Sequence, residues 1–227
     1  MKKYALSRFR VSMTMATVSM VSLSLAAQAS GYQTPHPVYN NTHKMTVQAR
    51  ASDEVIQGAQ NFIENVSARG LAFLQNKNMS EAQRKKEFRS LLTDSFDLQT
   101  IGRFALGRHW RQATEEQKKE YMKLFESMVI DTYTQRFGEY QGQQVVVNKA
   151  RSEGDKDAIV NSKIVSTDGS PDVQLDWRVR YKGGEYRIID VLVEGVSMSL
   201  TQRSEFSSII QRGGGSIDPL LEKLRER

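Results

Sequence analysis

Between Gln144 and Val193 the chain is patterned with a period of two. Gln144 to Ala150, Ala158 to Ser166, Val173 to Lys182 and Tyr186 to Val193 are rich in β-branched and aromatic residues. Glu153-Gly154-Asp155, Asp168-Gly169-Ser170-Pro171 and Gly183-Gly184 supply turn chemistry between them. Connections this short leave no room for crossover helices, so each segment pairs with its sequence neighbour and the expected result is an antiparallel meander. The third segment divides most cleanly. Val173, Leu175, Trp177, Val179 and Tyr181 point one way, and Gln174, Asp176, Arg178, Arg180 and Lys182 point the other. One face then packs on helices while the other meets water. The fourth, with Ile188, Ile189, Val191, Leu192 and Val193, is apolar on both faces and is expected to lie deeper.

Upstream of the strands the period is helical. Ser52 can cap a segment in which Val55, Ile56, Ala59, Phe62, Ile63 and Val66 recur at helical spacing, continuing through Leu71, Phe73 and Leu74. Ser80 with Gln83, and Thr114 with Gln117, have capping-box spacing. The first opens a helix carrying Phe88, Leu91 and Leu92; Leu98 to Trp110 follows with Ile101, Phe104, Leu106 and Trp110. The helix from Thr114 toward Tyr140 is the most informative. Tyr121, Leu124, Phe125, Met128, Val129 and Tyr133 cover roughly half its circumference, and Ile130 and Phe137 lie beyond them, whereas a surface helix needs a stripe of only about 100°. Such a helix is either plain core or faces both a core and a cavity. After the strands, Phe206, Ile209 and Ile210 sit at core spacing before Gly213-Gly214-Gly215. A last amphipathic helix starts near Ser216, with Pro219 in its first turn and Leu220, Leu221 and Leu224 on one side. The expected fold class is therefore α+β, a helical layer packed on a twisted four-stranded antiparallel sheet.

The termini and charge narrow the class further. Lys2, Lys3, Arg8 and Arg10 precede a weakly apolar stretch from Val11 to Ala27 and then Ala27-Gln28-Ala29, the order of a secretory signal peptide cleaved after Ala29. Residues 30–51, polar and containing Pro35 and Pro37, read as a flexible leader, and 52–227 as one domain. The 227-residue chain carries +6, but loss of residues 1–29 leaves 28 basic against 26 acidic residues, so most of the apparent basicity belongs to export. Absence of cysteine excludes thiol catalysis, iron-sulfur clusters, Cys-ligated zinc and disulfides. An exported domain without disulfides must be held by its core, which fits a bacterial periplasm.

Catalytic chemistry is sparse. His36 and His43 fall in the leader, and no convergent metal ligands accompany them. His109, beside Trp110 and Arg111, has no carboxylate or hydroxyl partner at a telling spacing. Asp190 and Glu194, four apart at the end of the fourth strand, share a face if the strand is regular, and so stand as the paired carboxylates of an alternative reading, a periplasmic hydrolase. The basic row Arg178, Arg180 and Lys182, extended by Lys163, suits a solvated sheet face or an acidic docking surface. It is not arranged for nucleic acid, since Trp177 and Tyr181 fall on the opposite face of the strand. The glycine run follows a helix and lacks a Lys-Ser/Thr ending, so it terminates a helix and does not cradle phosphate.

From Phe96 onward the chain resembles the MlaC, or toluene-tolerance, family of periplasmic phospholipid-binding proteins. The resemblance runs through Leu98-Gln99-Thr100-Ile101-Gly102-Arg103-Phe104-Ala105-Leu106-Gly107-Arg108-His109-Trp110, then Thr114, Gln117, Tyr121 to Phe125, Thr132-Tyr133 and Tyr140. It ends in Asp190 and Glu194-Gly195-Val196-Ser197-Met198, the most specific element. It implies a non-enzymatic, cofactor-free monomer that shuttles glycerophospholipids between inner and outer membranes and supports outer-membrane lipid asymmetry. Its implied partners are an inner-membrane ABC transporter with an MCE-domain subunit and an outer-membrane lipoprotein–porin complex. The acyl chains would lie in an apolar cavity between helices and sheet with the headgroup exposed. At ~0.8 kcal/mol per CH₂, roughly thirty chain methylenes cost on the order of 20 kcal/mol in water, so a carrier must enclose them. The candidate lining is Phe104, Leu124, Phe125, Met128, Val129, Trp177, Val179, Val191, Val196, Met198, Phe206 and Ile210. A scaffold that docks on membranes or proteins without an internal ligand is the weaker third reading.

Overall fold

The computed structural model describes residues 42–154 and 156–226, with side chains described from Asp53 onward. The signal peptide, its cleavage site and residues 30–41 of the expected leader lie outside them. Helix α1 spans Thr42–Gln75, so the helix begins ten residues before Ser52 and takes in the end of the segment expected to be irregular.

Helices α2 (Glu81–Ser95), α3 (Leu98–Leu106) and α4 (Glu115–Thr134) follow. Both capping boxes form. Gln83 N–H donates to Ser80 Oγ at 3.3 Å while Ser80 N–H donates to Gln83 Oε1 at 2.8 Å, and Thr114 and Gln117 exchange the same pair at 3.2 and 3.0 Å. Two expected helices are shorter than the apolar pattern implied. α3 ends at Gly107, whose φ of 61° leads into a 3-10 turn to Arg111, and α4 stops at Thr134, leaving Phe137 in a separate 3-10 turn.

The strands are β1 (Gln144–Glu153), β2 (Asp157–Val165), β3 (Val173–Lys182), β4 (Glu185–Val193) and β5 (Val196–Ser197), in sheet order β1-β2-β3-β4-β5. The expected meander is present with one strand more. Val193 pairs with Val196 across a two-residue turn in which Glu194 (φ 50°) and Gly195 (φ 77°) both have positive φ, the backbone that joins twisted strands most tightly. Two bulges bend the sheet. Asn148 and Lys149 together face Asn161, and Ile189 is passed over between the pairs Arg178–Asp190 and Val179–Ile188. Helices α5 (Met198–Arg212) and α6 (Asp218–Arg225) close the chain. Gly213 to Gly215 end α5 as expected, with Gly215 N–H donating to Ile210 O at 2.8 Å.

Among the described residues, apolar burial falls into two clusters. The first joins α3, α4, α5 and α6: Tyr121 and Phe125 stack at 5.8 Å, and Phe206 meets both edge-on. Tyr121 donates its hydroxyl to Gly102 O at 2.9 Å, and burial pushes that phenol far above its ordinary pKa, keeping it a donor. The second cluster packs α1 on the sheet through Ala59, Ile63, Val66 and Phe73 against Val160, Val179 and Ile188. Gly58 admits Tyr186 here; a β-carbon at Gly58 would come within 2.0 Å of the Tyr186 hydroxyl. Gly58→Ala should therefore lower stability by about 1–2 kcal/mol despite alanine's better helix propensity, read as a lower urea midpoint at unchanged m.

Candidate functional site

The two apolar clusters do not close on one another. Between them lies a cavity of about 510 Å³, within the ~300–1,000 Å³ range of small-molecule sites. Phe125, Met128 and Val129 of α4 form the wall on the helical side, joined by Leu98 and Ile101 of α3. Val173, Leu175 and Trp177 of β3, with Val191 and Val193 of β4, form the sheet wall. Phe88 and Leu92 of α2, Phe96 of the α2–α3 link, and Met198 at the start of α5 complete it.

Local structure holds each wall in place. Trp177 donates its indole N–H to Ser162 Oγ at 2.8 Å, and that buried hydroxyl donates in turn to Leu175 O at 3.2 Å, so the indole is tied to β2 of the sheet. Phe96 sits where the α2–α3 link bridges to Ile188, with Asp97 N–H donating to Ile188 O at 2.9 Å. Asp97 then caps α3 through Thr100 N–H at 2.8 Å. Helices α2 and α4 are joined across their outer sides by Lys85–Asp131 and Arg89–Glu126, each at 2.5 Å. At the end of the cavity formed by the last turn of α4, Thr132, Tyr133 and Arg136 are exposed, which marks the mouth. Tyr133 packs on Phe88 at 6.2 Å; these surroundings raise its pKa by desolvation, while the nearby Arg136 acts in the opposite direction.

Six of the twelve expected lining residues, Phe125, Met128, Val129, Trp177, Val191 and Met198, border the cavity. The other six lie elsewhere. Phe206, Ile210 and Val179 are buried in the two clusters, and Leu124 packs beside the helical one. Phe104 is 42% exposed beneath the Arg203 guanidinium, and Val196 is 51% exposed at the start of β5. Residues the sequence reading missed are Phe88, Leu92, Phe96, Leu98, Ile101 and the β3 neighbours Val173 and Leu175. For the last two a signal existed, since they share the inward face with Trp177.

The carboxylates of the hydrolase reading are not paired in the cavity. Asp190, 8% exposed, accepts from Val191 N–H (2.9 Å), Ser199 N–H (3.1 Å) and Ser197 Oγ (2.6 Å). Glu194 is exposed in the turn and accepts from Gln174 N–H at 2.5 Å. Regular alternation stops at Val193, and the turn carries Glu194 away from the face that Asp190 occupies. The basic row is also largely neutralised. Arg180 forms a two-point pair with Asp157 at 2.7 and 2.8 Å, Lys163 pairs with Asp172 at 2.8 Å and Arg178 with Glu153 at 3.4 Å. His109 is buried with neither ring nitrogen hydrogen-bonded among the described residues. Among those residues no group of three or more His, Asp or Glu is placed to hold a metal, and no helix is long and apolar enough to cross a membrane.

A family model described as MlaC protein matches residues 64–226. Toluene tolerance protein ttg2D of Pseudomonas putida is 25% identical over 115 residues, 51% of this chain and 53% of that protein. The intermembrane phospholipid transport system binding protein MlaC of Haemophilus influenzae is 26% identical over 133 residues, 57% of this chain and 61% of that protein. The chain thus spans only 53% and 61% of the length of these two relatives. Among solved structures, the phospholipid-binding protein from Ralstonia solanacearum in complex with a phospholipid superposes with a TM-score of 0.65 at 25% identity, covering 74% of this chain and 95% of that one.

Proposed function

This chain belongs to the MlaC family, and on that premise we propose that it is a phospholipid carrier of the periplasm. The observation that carries the proposal is the cavity of about 510 Å³ walled by apolar side chains between two separately packed clusters. A void of that size costs the fold the contacts its walls forgo, and an acyl chain restores them. Its affinity comes from burial at ~0.8 kcal/mol per methylene. In this reading the signal peptide ending at Ala29 directs export, residues 52–227 form the carrier domain, and the mature monomer works without a cofactor. It exchanges glycerophospholipid with an inner-membrane ABC transporter through an MCE-domain subunit and with an outer-membrane lipoprotein–porin complex, in support of outer-membrane lipid asymmetry. The half of the expected lining that faces the cavity, together with Phe88, Phe96 and Leu175, contacts the chains.

Protein purified from a Gram-negative host and extracted with organic solvent is expected to release phospholipid in stoichiometric amount by mass spectrometry, and the stripped protein to recover it from vesicles. Protein that releases none and takes none from vesicles would overturn the proposal.

A further inference from the structure

Among the described residues the cavity wall carries two charged side chains, Asp190 and Arg136, and they are used differently. Both oxygens of Asp190 are occupied by the donors that bind β4 to the start of α5. Arg136 stands at the exposed mouth with no ion pair or side-chain hydrogen bond to any other described residue. The nearest acidic positions on α4 are already engaged, Asp131 by Lys85 and Glu126 by Arg89. The base of the arginine is fixed, because Arg136 N–H donates to Tyr133 O at 3.1 Å and Arg136 O accepts from Glu139 N–H at 3.0 Å. Thr132 and Tyr133 place two hydroxyls at the same rim.

We propose that Arg136 binds the phosphodiester of the carried lipid, with Thr132 and Tyr133 as neighbouring donors, and so sets the orientation in which the chains enter. The assignment rests on the carrier reading above. Its physical basis is a sign problem at this end of α4. The C-terminus of a helix presents its unsatisfied carbonyls and the negative end of its dipole, which disfavours an anion. A guanidinium one residue past the helix cap reverses the local sign and offers a planar fork that matches two phosphate oxygens. Burial of the chains supplies most of the affinity, and the arginine supplies preference: a lipid with a phosphate gains a charge-assisted contact at the mouth that a neutral lipid with the same chains lacks.

The test compares lipid-stripped wild-type protein, Arg136→Gln and Arg136→Lys for uptake from vesicles containing phosphatidylglycerol or the diacylglycerol of identical chains. Arg136 is exposed, so the variants are expected to fold, and circular dichroism checks this. The wild type should prefer the phospholipid, Arg136→Gln should lower that preference about tenfold or more, and Arg136→Lys, which keeps the charge but loses the planar fork, should restore only part of it. An unchanged preference in Arg136→Gln, or an equal loss for both lipids, overturns the role of Arg136 while leaving the carrier reading intact. Wild-type protein that takes up neither lipid overturns the carrier reading and this one with it. Titration with inorganic phosphate alone separates the two phosphate sources: saturable binding to wild type that Arg136→Gln abolishes would make this a free-phosphate site and overturn the lipid assignment.

Discussion

Val129→Trp should weaken lipid binding roughly thirtyfold without unfolding the protein. Val129 is half-buried, on the side of α4 that turns from the helical cluster toward the cavity. An indole there projects into open space and does not wedge between packed neighbours, so the usual overpacking penalty of ~1–3 kcal/mol is largely avoided. The lipid bears the cost. Exclusion of only three methylenes at ~0.8 kcal/mol each lowers binding by about 2 kcal/mol, roughly thirtyfold. Ile210→Trp is the matching control, since Ile210 is wholly buried in the helical cluster and has no cavity to fill. It should lose several degrees of Tm or fail to fold. Lipid content by mass spectrometry and Tm by calorimetry are the two readouts. Retention of wild-type lipid by Val129→Trp, or its unfolding, would show that this wall of α4 is packed core.

That contrast also shows where sequence reading stopped. The inward face of β3 was legible because alternation is a local property: Val173, Leu175, Trp177 and Val179 do point the same way. Which end of that face meets a cavity is not local. Val179 is buried in the cluster under α1, while Leu175 and Trp177 border the cavity, Trp177 touching that cluster as well. The wide apolar arc of α4 announces two coverings but does not assign them: Phe125, Met128 and Val129 touch both the helical cluster and the cavity, whereas Leu124 touches the cluster and not the cavity. Phe96 was invisible for another reason. It belongs to a two-residue link between helices, and only the bridge to Ile188, nearly a hundred positions away, brings it to the wall. Phe104 and Val196 are apolar members of the stretches that carry the family resemblance, and position in such a stretch carries no information about which side of α3 or of a hairpin faces solvent.

Asp190→Ala is expected to be the most destabilising single substitution in the site. Its carboxylate satisfies two backbone N–H groups and one hydroxyl in a nearly dry setting, and removal leaves the Val191 and Ser199 amides without acceptors. At ~1–3 kcal/mol for each orphaned buried donor, the loss should reach about 3–5 kcal/mol. Asp190→Asn keeps one acceptor oxygen and should cost about half as much. Glu194→Gln keeps its acceptor toward Gln174 at an exposed turn and should cost less than about 1 kcal/mol. The damage would not stay local, because Asp190 anchors the first turn of α5, and that turn carries Met198, Ser199 and Gln202 into the cavity wall. Lipid retention should therefore fall in step with stability across the three variants, measured by urea midpoint and by bound phospholipid. A catalytic carboxylate predicts a different ordering. If Asp190→Asn and Glu194→Gln both kept wild-type stability and lipid content yet abolished release of fatty acid from ester lipids by the wild-type protein, the structural assignment of Asp190 would fail and the hydrolase reading would return.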